Sequence, residues 1–508
     1  MTLHIRNHFL FSARLRIGMV VLVVWTIFTF FSQPFLGQTN SNNTSFLSYE
    51  RIKVRMLIDS LSQHLGYDFA YDADLINSDS LVSVVIPVAQ SERWIDEFFS
   101  QPNVVVQFMD RQVIIGRRRG HITEASGIRI RGSVEEFGSH RPMGMVNIGV
   151  VGKPVGTTTN DGGQFEFLLP NSYAGEQLMF SYLGYLSRKV TIPAQDTTLL
   201  ILMPETSVRL PEVRVVYINP EDIIRQMVEN IPNNYSETSA ILTAFFRETI
   251  QQDGRYVDVS EAVVEVFKPT YRFADEPERV RFIRGRKGRE TSDMDFVNFK
   301  LVGGPYNFSR LDVVRNRDFF PSTGENGRYK YSFEGVGIEY ERVVYRIGFK
   351  PVTDSGELFY QGELRIDSES HALVSATFEM TAASLRRSRS YLIKRDARRF
   401  RTRPFFARYI VDYRPWGDLW VLSRVRGEVS LRIVDRDRRD RSVFHTVSEM
   451  LVSDVHILEP RTRIRWADAF RPDYVLSEQL GDFDPEFWRN YNIIKPDEAL
   501  ERVFGSQE

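Results

Sequence analysis

The stretch Gly156-Thr-Thr-Thr-Asn-Asp-Gly-Gly-Gln-Phe-Glu-Phe167 decides how the middle of this chain folds. Thr157, Thr158 and Thr159 favour extended backbone, and Asn160-Asp161-Gly162-Gly163 tolerate positive φ. Phe165 and Phe167 then alternate with polar neighbours. The segment predicts a strand, a tight turn and a second strand with one buried aromatic face. Working outward, Ile128-Arg-Ile-Arg-Gly132 alternates in the same way, and Pro142 to Val151 predicts another strand. Gln177 to Tyr185 and Thr197 to Met203 complete a series of short strands with turn residues between them. Such a series predicts a small sandwich over residues 128–216.

The order Ile128-Arg-Ile-Arg-Gly-Ser-Val134, Pro142-Met-Gly-Met-Val-Asn-Ile148, Gly156 to Phe167 and Phe180-Ser-Tyr-Leu-Gly-Tyr185 resembles the carboxypeptidase-like regulatory domain. The resemblance implies a transthyretin-like β-sandwich of the kind attached to Gram-negative envelope proteins and TonB-dependent transporters. It implies a non-catalytic spacer or binding module.

A chain of 508 residues has room for about three domains. Hydrophobic content of 42% and charged content of 26% describe a folded protein. A formal net charge of −1 argues against a global field for nucleic acid. With no cysteine, a thiolate metal site, a cysteine nucleophile, a disulfide framework and a lipidated N-terminal cysteine are excluded. The expectation is therefore that the protein is not a lipoprotein.

Arg6, Arg14 and Arg16 precede the apolar run Ile17 to Phe31, and polar residues follow from Gln38. That order predicts a secretory signal peptide over residues 1–37, with an uncleaved anchor as the alternative. The run is short beside the roughly 20 residues of a spanning helix. Both alternatives export the remainder, and the expected location is the periplasm, in association with the outer membrane.

Residues 38–51 are rich in Ser, Asn and Thr and predict a flexible lead-in. From Ile52, Val54, Leu57, Ile58, Leu61 and Leu65 share a helical face, and Gly66 is placed to end it. Tyr67 to Tyr71 and Leu81 to Ile86 are strand-like. A second helix carries Trp94, Ile95, Phe98 and Phe99, and a hairpin around Asp110-Arg111 closes a small α+β domain over 52–118. Tyr67-Asp-Phe-Ala-Tyr-Asp72 and Val84-Val-Ile-Pro-Val-Ala-Gln-Ser91 resemble the secretin/TonB short N-terminal domain. That resemblance implies protein–protein contacts with envelope proteins, including a TonB-dependent transport system.

In the third region, 219–508, Asn219-Pro220-Glu221-Asp222 is a helix start, and Ile223, Ile224, Met227, Val228 and Ile231 give that helix an apolar face. The period then changes to two over Tyr329–Phe333, Ile338–Phe349, Leu358–Ile366, Leu373–Met380, Phe406–Arg414 and Trp420–Val434. A large curved antiparallel sheet with a few helices is expected. A transmembrane barrel is disfavoured by outward charges such as Glu339, Glu341, Arg342 and Arg346. Gly362 to Asp367 followed by Ala372 to Phe378 loosely resembles the curved sheet of periplasmic lipoprotein carriers. The closing Asp484 to Pro496 looks like the tail of envelope proteins carrying the same regulatory domain. The whole chain is thus read as multi-domain and mainly β.

No His-Glu-x-x-His helix, Gly-x-Ser-x-Gly elbow, phosphate-binding loop or dinucleotide fingerprint occurs. No catalytic, metal or cofactor residues are assigned. The carboxylate pairs Asp253/Asp258 and Glu261/Glu265 are of a kind expected by chance among 66 acids.

Two basic clusters are more distinctive. Arg386, Arg387, Arg389, Lys394, Arg395, Arg398, Arg399, Arg401, Arg403 and Arg408 are interleaved with Tyr391, Phe400, Phe405 and Phe406. The second comprises Arg279, Arg281, Arg284, Arg286, Lys287 and Arg289. Arginine with aromatics grips phosphate, sulfated glycan or anionic lipid. The competing account is a solvated surface balanced by neighbouring acids.

The leading expectation is a non-catalytic envelope binding or adaptor module. Its sheet binds a ligand or lies on the membrane, and Pro204, Pro211 and Pro220 mark a linker that permits motion against the sandwich. The alternatives are a periplasmic carrier of a lipid or other apolar ligand, and a glycan- or peptide-cleaving enzyme that carries a regulatory domain.

Overall fold

The computed structural model describes residues 46–71, 76, 78–99, 104–109, 112–117, 127–206, 218–272, 276–289, 300–301, 304–316, 328–353, 356–395, 400–436, 441–458, 464, 469, 476, 480, 487–488 and 491–505. The expected signal segment lies outside them. The chain forms two compact units, residues 1–119 and 120–508.

In the first unit the elements run β1 (Phe46–Lys53), α1 (Val54–Leu65), β2 (Asp68–Tyr71), β3 (Leu81–Pro87), α2 (Ser91–Phe99), β4 (Val104–Met109) and β5 (Gln112–Arg117). β1 pairs with β3, and β2-β5-β4 form a second sheet with β2 parallel to β5. Val54, Leu57, Ile58 and Leu61 of α1 are buried, and Gly66 ends the helix at φ 73 with its N–H on the Ser62 carbonyl. The helical spacing predicted both. Residues 38–45 of the expected lead-in lie outside the described residues, and its last six residues are not a lead-in. Residues 46–51 belong to β1, because Leu47 and Tyr49 alternate onto the core of this unit.

The sandwich comprises β6 (Gly127–Glu136), β7 (Asn147–Val150), β8 (Gly156–Thr158), β9 (Gln164–Pro170), β10 (Gln177–Ser181), β11 (Arg188–Thr191) and β12 (Thr197–Met203). Its sheets are ordered β11-β10-β7-β8 and β12-β6-β9. Ile128, Ile130, Val134, Phe165, Phe167 and Phe180 fill the space between them. The opening stretch is the strand, turn and strand its composition predicts, but the two strands do not pair with each other. β8 pairs with β7 and β9 with β6, so the turn carries the chain from one sheet to the other. Asn160 Oδ1 accepts from the Gln164 N–H at 2.8 Å, and Gly163 sits at φ 74. A β-carbon at Gly132 would lie 2.1 Å from the Leu199 carbonyl oxygen, so only glycine lets β12 lie this close to β6.

The remainder is β13 (Ala240–Gln252), β14 (Arg255–Lys268), β15 (Arg279–Arg289), β16 (Lys300–Leu301), β17 (Tyr329–Glu339), β18 (Arg342–Pro351), β19 (Tyr360–Asp367), β20 (Leu373–Met380), β21 (Ile393–Arg395), β22 (Phe400–Trp416), β23 (Leu419–Asp435) and β24 (Arg441–Ile457). Ten of these form one antiparallel sheet, ordered β15-β14-β13-β24-β23-β22-β20-β19-β18-β17. The helices are α3 (Pro220–Glu229), α4 (Ile231–Asn234), α5 (Gly304–Ser309), α6 (Ala382–Arg387), α7 (Arg389–Leu392) and α8 (Glu498–Gly505). Asn219 Oδ1 caps α3 on the Glu221 N–H at 3.1 Å. Ile338–Phe349, expected as one strand, is a hairpin. It turns at Tyr340 and Glu341, which take φ 51 and 62.

Cross-strand partners share a face of a sheet. One row therefore reads Phe246, Met450, Val425, Val411, Ala376, Leu364, Ile347, all buried. Ile224 and Met227 of α3, Phe308 of α5, and Val313 and Val314 belong to the same core. Among the described residues, no helix is long and apolar enough to cross a membrane.

Candidate functional site

The other face of the large sheet is polar, and its charges are ordered. One residue along from the apolar row, the partners are Arg426, Glu449, Arg247, Glu261 and Arg286 across five successive strands. Arg426 Nη1 reaches Glu449 at 2.9 Å, Arg247 Nη2 reaches Glu261 at 2.5 Å, and Arg286 Nε reaches the same carboxylate at 2.6 Å. In the next row Arg424 donates to Asp412 Oδ2 at 2.9 and 2.5 Å, while Ser375 Oγ donates to Oδ1 at 2.6 Å. Each arginine here has a carboxylate beside it, as burial requires.

The sandwich and the C-terminal tail cover this region. Arg414 donates to the Val452 carbonyl at 3.0 Å and to the Pro154 carbonyl, and burial pushes its guanidinium down to about 10. Arg426 Nη1 reaches Asp161 at 3.3 Å, and Asn160 Nδ2 donates to the Lys495 carbonyl at 3.1 Å. The sandwich and the sheet belong to one compact unit and share this hydrogen-bonded seat.

Farther along the same face the compensation stops. Arg403 stands opposite Arg432, which stands opposite Val443; Arg401, Val434 and Arg441 form the next row out. All four arginines are exposed, and none has a carboxylate partner among the described residues. A bulge between Pro404 and Phe406 releases Phe405, whose ring lies under the Arg432 guanidinium at 5.6 Å. Arg408 lies over Phe406 at 5.2 Å and reaches Glu379 at 3.8 Å. Behind them Ser430 Oγ and His445 Nδ1 are 2.9 Å apart. An open groove of about 500 Å³ is lined by Arg401, Val434, Asp435, Arg436 and Arg441.

This strip contains part of the cluster predicted from sequence. Arg401 and Arg403 lie in it. Arg386, Arg387 and Arg389 lie on α6 and α7, whose Leu385 and Leu392 pack on the opposite, apolar face. Lys394 and Arg395 are in β21, and Arg398 and Arg399 lie outside the described residues. Sequence reasoning missed Arg432 and Arg441, because only strand pairing brings them to Arg401 and Arg403.

The second basic cluster is β15, where Arg279, Arg281, Arg284 and Arg286 are engaged. Arg281 Nε donates to Glu265 at 2.9 Å, Arg279 Nη1 to the Ile464 carbonyl at 2.6 Å, and Arg284 lies 5.7 Å from the Phe487 ring centroid. Glu261 and Glu265 are thus held by arginines. Asp253 Oδ1, in the turn between β13 and β14, accepts from the Val443 N–H of β24 at 2.8 Å.

Against the apolar face lies a buried ionic network. Lys268 Nζ is 3.0 Å from Asp312 Oδ2 and 3.4 Å from Glu278 Oε1. Asp312 also accepts from Tyr271 at 2.6 Å and Tyr413 at 2.7 Å. These bonds hold the segment 304–316 down on the sheet.

Residues 130–215 match the family model of the CarboxypepD_reg-like domain, which coincides with the sandwich. No curated protein matches the chain. Among solved structures, an outer membrane lipoprotein-sorting protein domain from Vibrio parahaemolyticus is similar at 10% identity and TM-score 0.23, over 49% of this chain and 97% of that one. A DUF1329 family protein from Desulfovibrio piger is similar at 11% identity and TM-score 0.20, over 48% of this chain and 93% of that one. A LolA superfamily protein from Nitrosomonas europaea is similar at 11% identity and TM-score 0.20, over 48% and 94%.

Proposed function

We propose that this chain is a non-catalytic, exported protein of the cell envelope that takes an anionic ligand on the basic strip of its large sheet. One contrast carries the proposal. Arg247, Arg286, Arg424 and Arg426 each sit beside a carboxylate, whereas Arg403 faces Arg432 with none, and Arg401 and Arg441 flank that pair. Like charges placed opposite one another destabilise a sheet. An anion between the guanidiniums offsets that cost and gains charge-assisted hydrogen bonds.

Export is supported by the basic, apolar, polar order of residues 6–38. The regulatory-like sandwich serves as a scaffold seated on the sheet. The N-terminal unit, by its resemblance to the secretin/TonB short domain, docks envelope partners.

The test is calorimetric titration of the full chain with tripolyphosphate at low salt. Saturable binding that falls at least tenfold in the Arg403→Gln/Arg432→Gln variant is expected. Equal binding by both proteins would remove the strip as the site.

A further inference from the structure

We propose that the strip docks on an anionic phospholipid surface. This rests on the reading of the strip as an anion site and names its partner.

Three observations favour a surface over a single small anion. The first is spacing. Adjacent strands are about 5 Å apart and alternate residues on one strand about 7 Å apart, so the roots of Arg401, Arg403, Arg432 and Arg441 spread across three strands and two rows. Arg403 and Arg432 can share one phosphate, and Arg401 and Arg441 in the next row reach a neighbouring headgroup.

The second is apolar exposure within the charge. Phe405 is 43% exposed and Val443 39%, and Phe405 lies directly beneath Arg432. Basic residues interleaved with exposed apolar side chains are what an interface between water and acyl chains takes up. A free phosphate gains nothing from a phenyl ring.

The third is openness. Among the described residues, the groove beside Val434 is lined by Arg401, Asp435, Arg436 and Arg441 and is open to solvent. Tight capture of a small ligand needs enclosure. A membrane supplies the second wall itself.

The absence of cysteine permits a site-specific test. Val443→Cys is labelled with an environment-sensitive dye, and Ala194→Cys on the sandwich is the reference. The full chain is mixed with vesicles of phosphatidylcholine alone or with one-third phosphatidylglycerol. Arg6, Arg14 and Arg16 bias any docking through Ile17–Phe31 toward anionic vesicles, so the Arg403→Gln/Arg432→Gln variant, which retains them, isolates the strip. The label at 443 is expected to be shielded from an aqueous quencher on the anionic vesicles only, and the label at 194 on neither. Each arginine near such a surface is worth about fivefold, so Arg403→Gln/Arg432→Gln should need about 25-fold more anionic lipid. Phe405→Ala should weaken vesicle docking more than it weakens tripolyphosphate binding, because the exposed ring is lost to the surface while the four arginines remain.

Equal quenching at 443 on both compositions would overturn the proposal. If tripolyphosphate still binds in that case, the anion site stands and its partner is a soluble polyanion. If neither binds, both readings fall. A Phe405→Ala chain that docks like the parent also contradicts the surface.

Discussion

The side-chain amide of Asn492 closes two hydrogen bonds on the backbone of Leu168, 324 residues earlier: the Leu168 N–H donates to Oδ1 at 2.7 Å, and Nδ2 donates to the Leu168 carbonyl at 2.9 Å. Leu168 lies in β9, one of the two edge strands of its sheet, opposite Arg129. An edge strand presents unpaired backbone groups that invite another chain. Here the C-terminal tail covers them. Asn492→Ala should cost about 2 kcal/mol through the orphaned, buried Leu168 amide. Hydrogen exchange at Leu168 should accelerate while that at Phe167 does not. Unchanged exchange at Leu168 would show that the tail is not what protects this edge.

Asp312 predicts an acid limit to stability. Burial alone raises its carboxyl, but the Lys268 charge and the hydrogen bonds from Tyr271 and Tyr413 outweigh burial and hold it below the ordinary value. A carboxyl depressed in the folded state contributes stability above its unfolded pKa of about 3.9, and that contribution is lost as pH falls through the folded value. Asp312→Asn leaves Lys268 short of one of its two counter-charges and should cost about 3 kcal/mol at pH 7. Denaturant curves should show the gap between parent and variant narrowing as pH drops below about 4. A gap that widens toward acid would contradict the assigned pairing.

Gly132 tests the sandwich. A methyl group there would meet the Leu199 carbonyl oxygen and the Phe165 ring, neither of which can retreat without moving β12 or the core. Gly132→Ala should cost about 3 kcal/mol or more by overpacking, read as a lower thermal midpoint. A neutral result would mean that β12 does not lie against β6 as described.

Much of this architecture was legible in the sequence, and the gaps have physical causes. The sandwich strands follow from the alternation at Ile128 and Phe165, and α1 and α3 from their spacing and caps. The Asn160–Gly163 turn was visible, but turn chemistry does not say whether the next strand returns to the same sheet. Tyr340-Glu341 hid a hairpin because neither residue type favours positive φ. Strands β13 to β15 escaped notice because Arg247, Glu261, Glu265 and Arg286 look solvent-facing until the ladder pairs them. For the same reason Arg279–Arg289 resembled a free basic surface, while the strip that does lack carboxylate partners needed Arg432 and Arg441 from two further strands.

If the strip is for binding, its arginines work against folding. Arg403→Gln removes a like charge from opposite Arg432 and should leave stability unchanged or raise it by up to about 0.5 kcal/mol. Arg426→Gln, which strips Glu449, Glu428 and Asp161 of their partner, should destabilise by about 3 kcal/mol. Parallel thermal melts of the two variants make the comparison. Equal losses would mean that the strip is structural.

The central claim is tested most directly by hydrogen exchange of the full chain with and without tripolyphosphate. The account predicts slowed exchange confined to residues 401–408, 428–434 and 441–447, with β15 unaffected. Protection along Arg279–Arg289 instead, or none in the strip at saturating ligand, would contradict it.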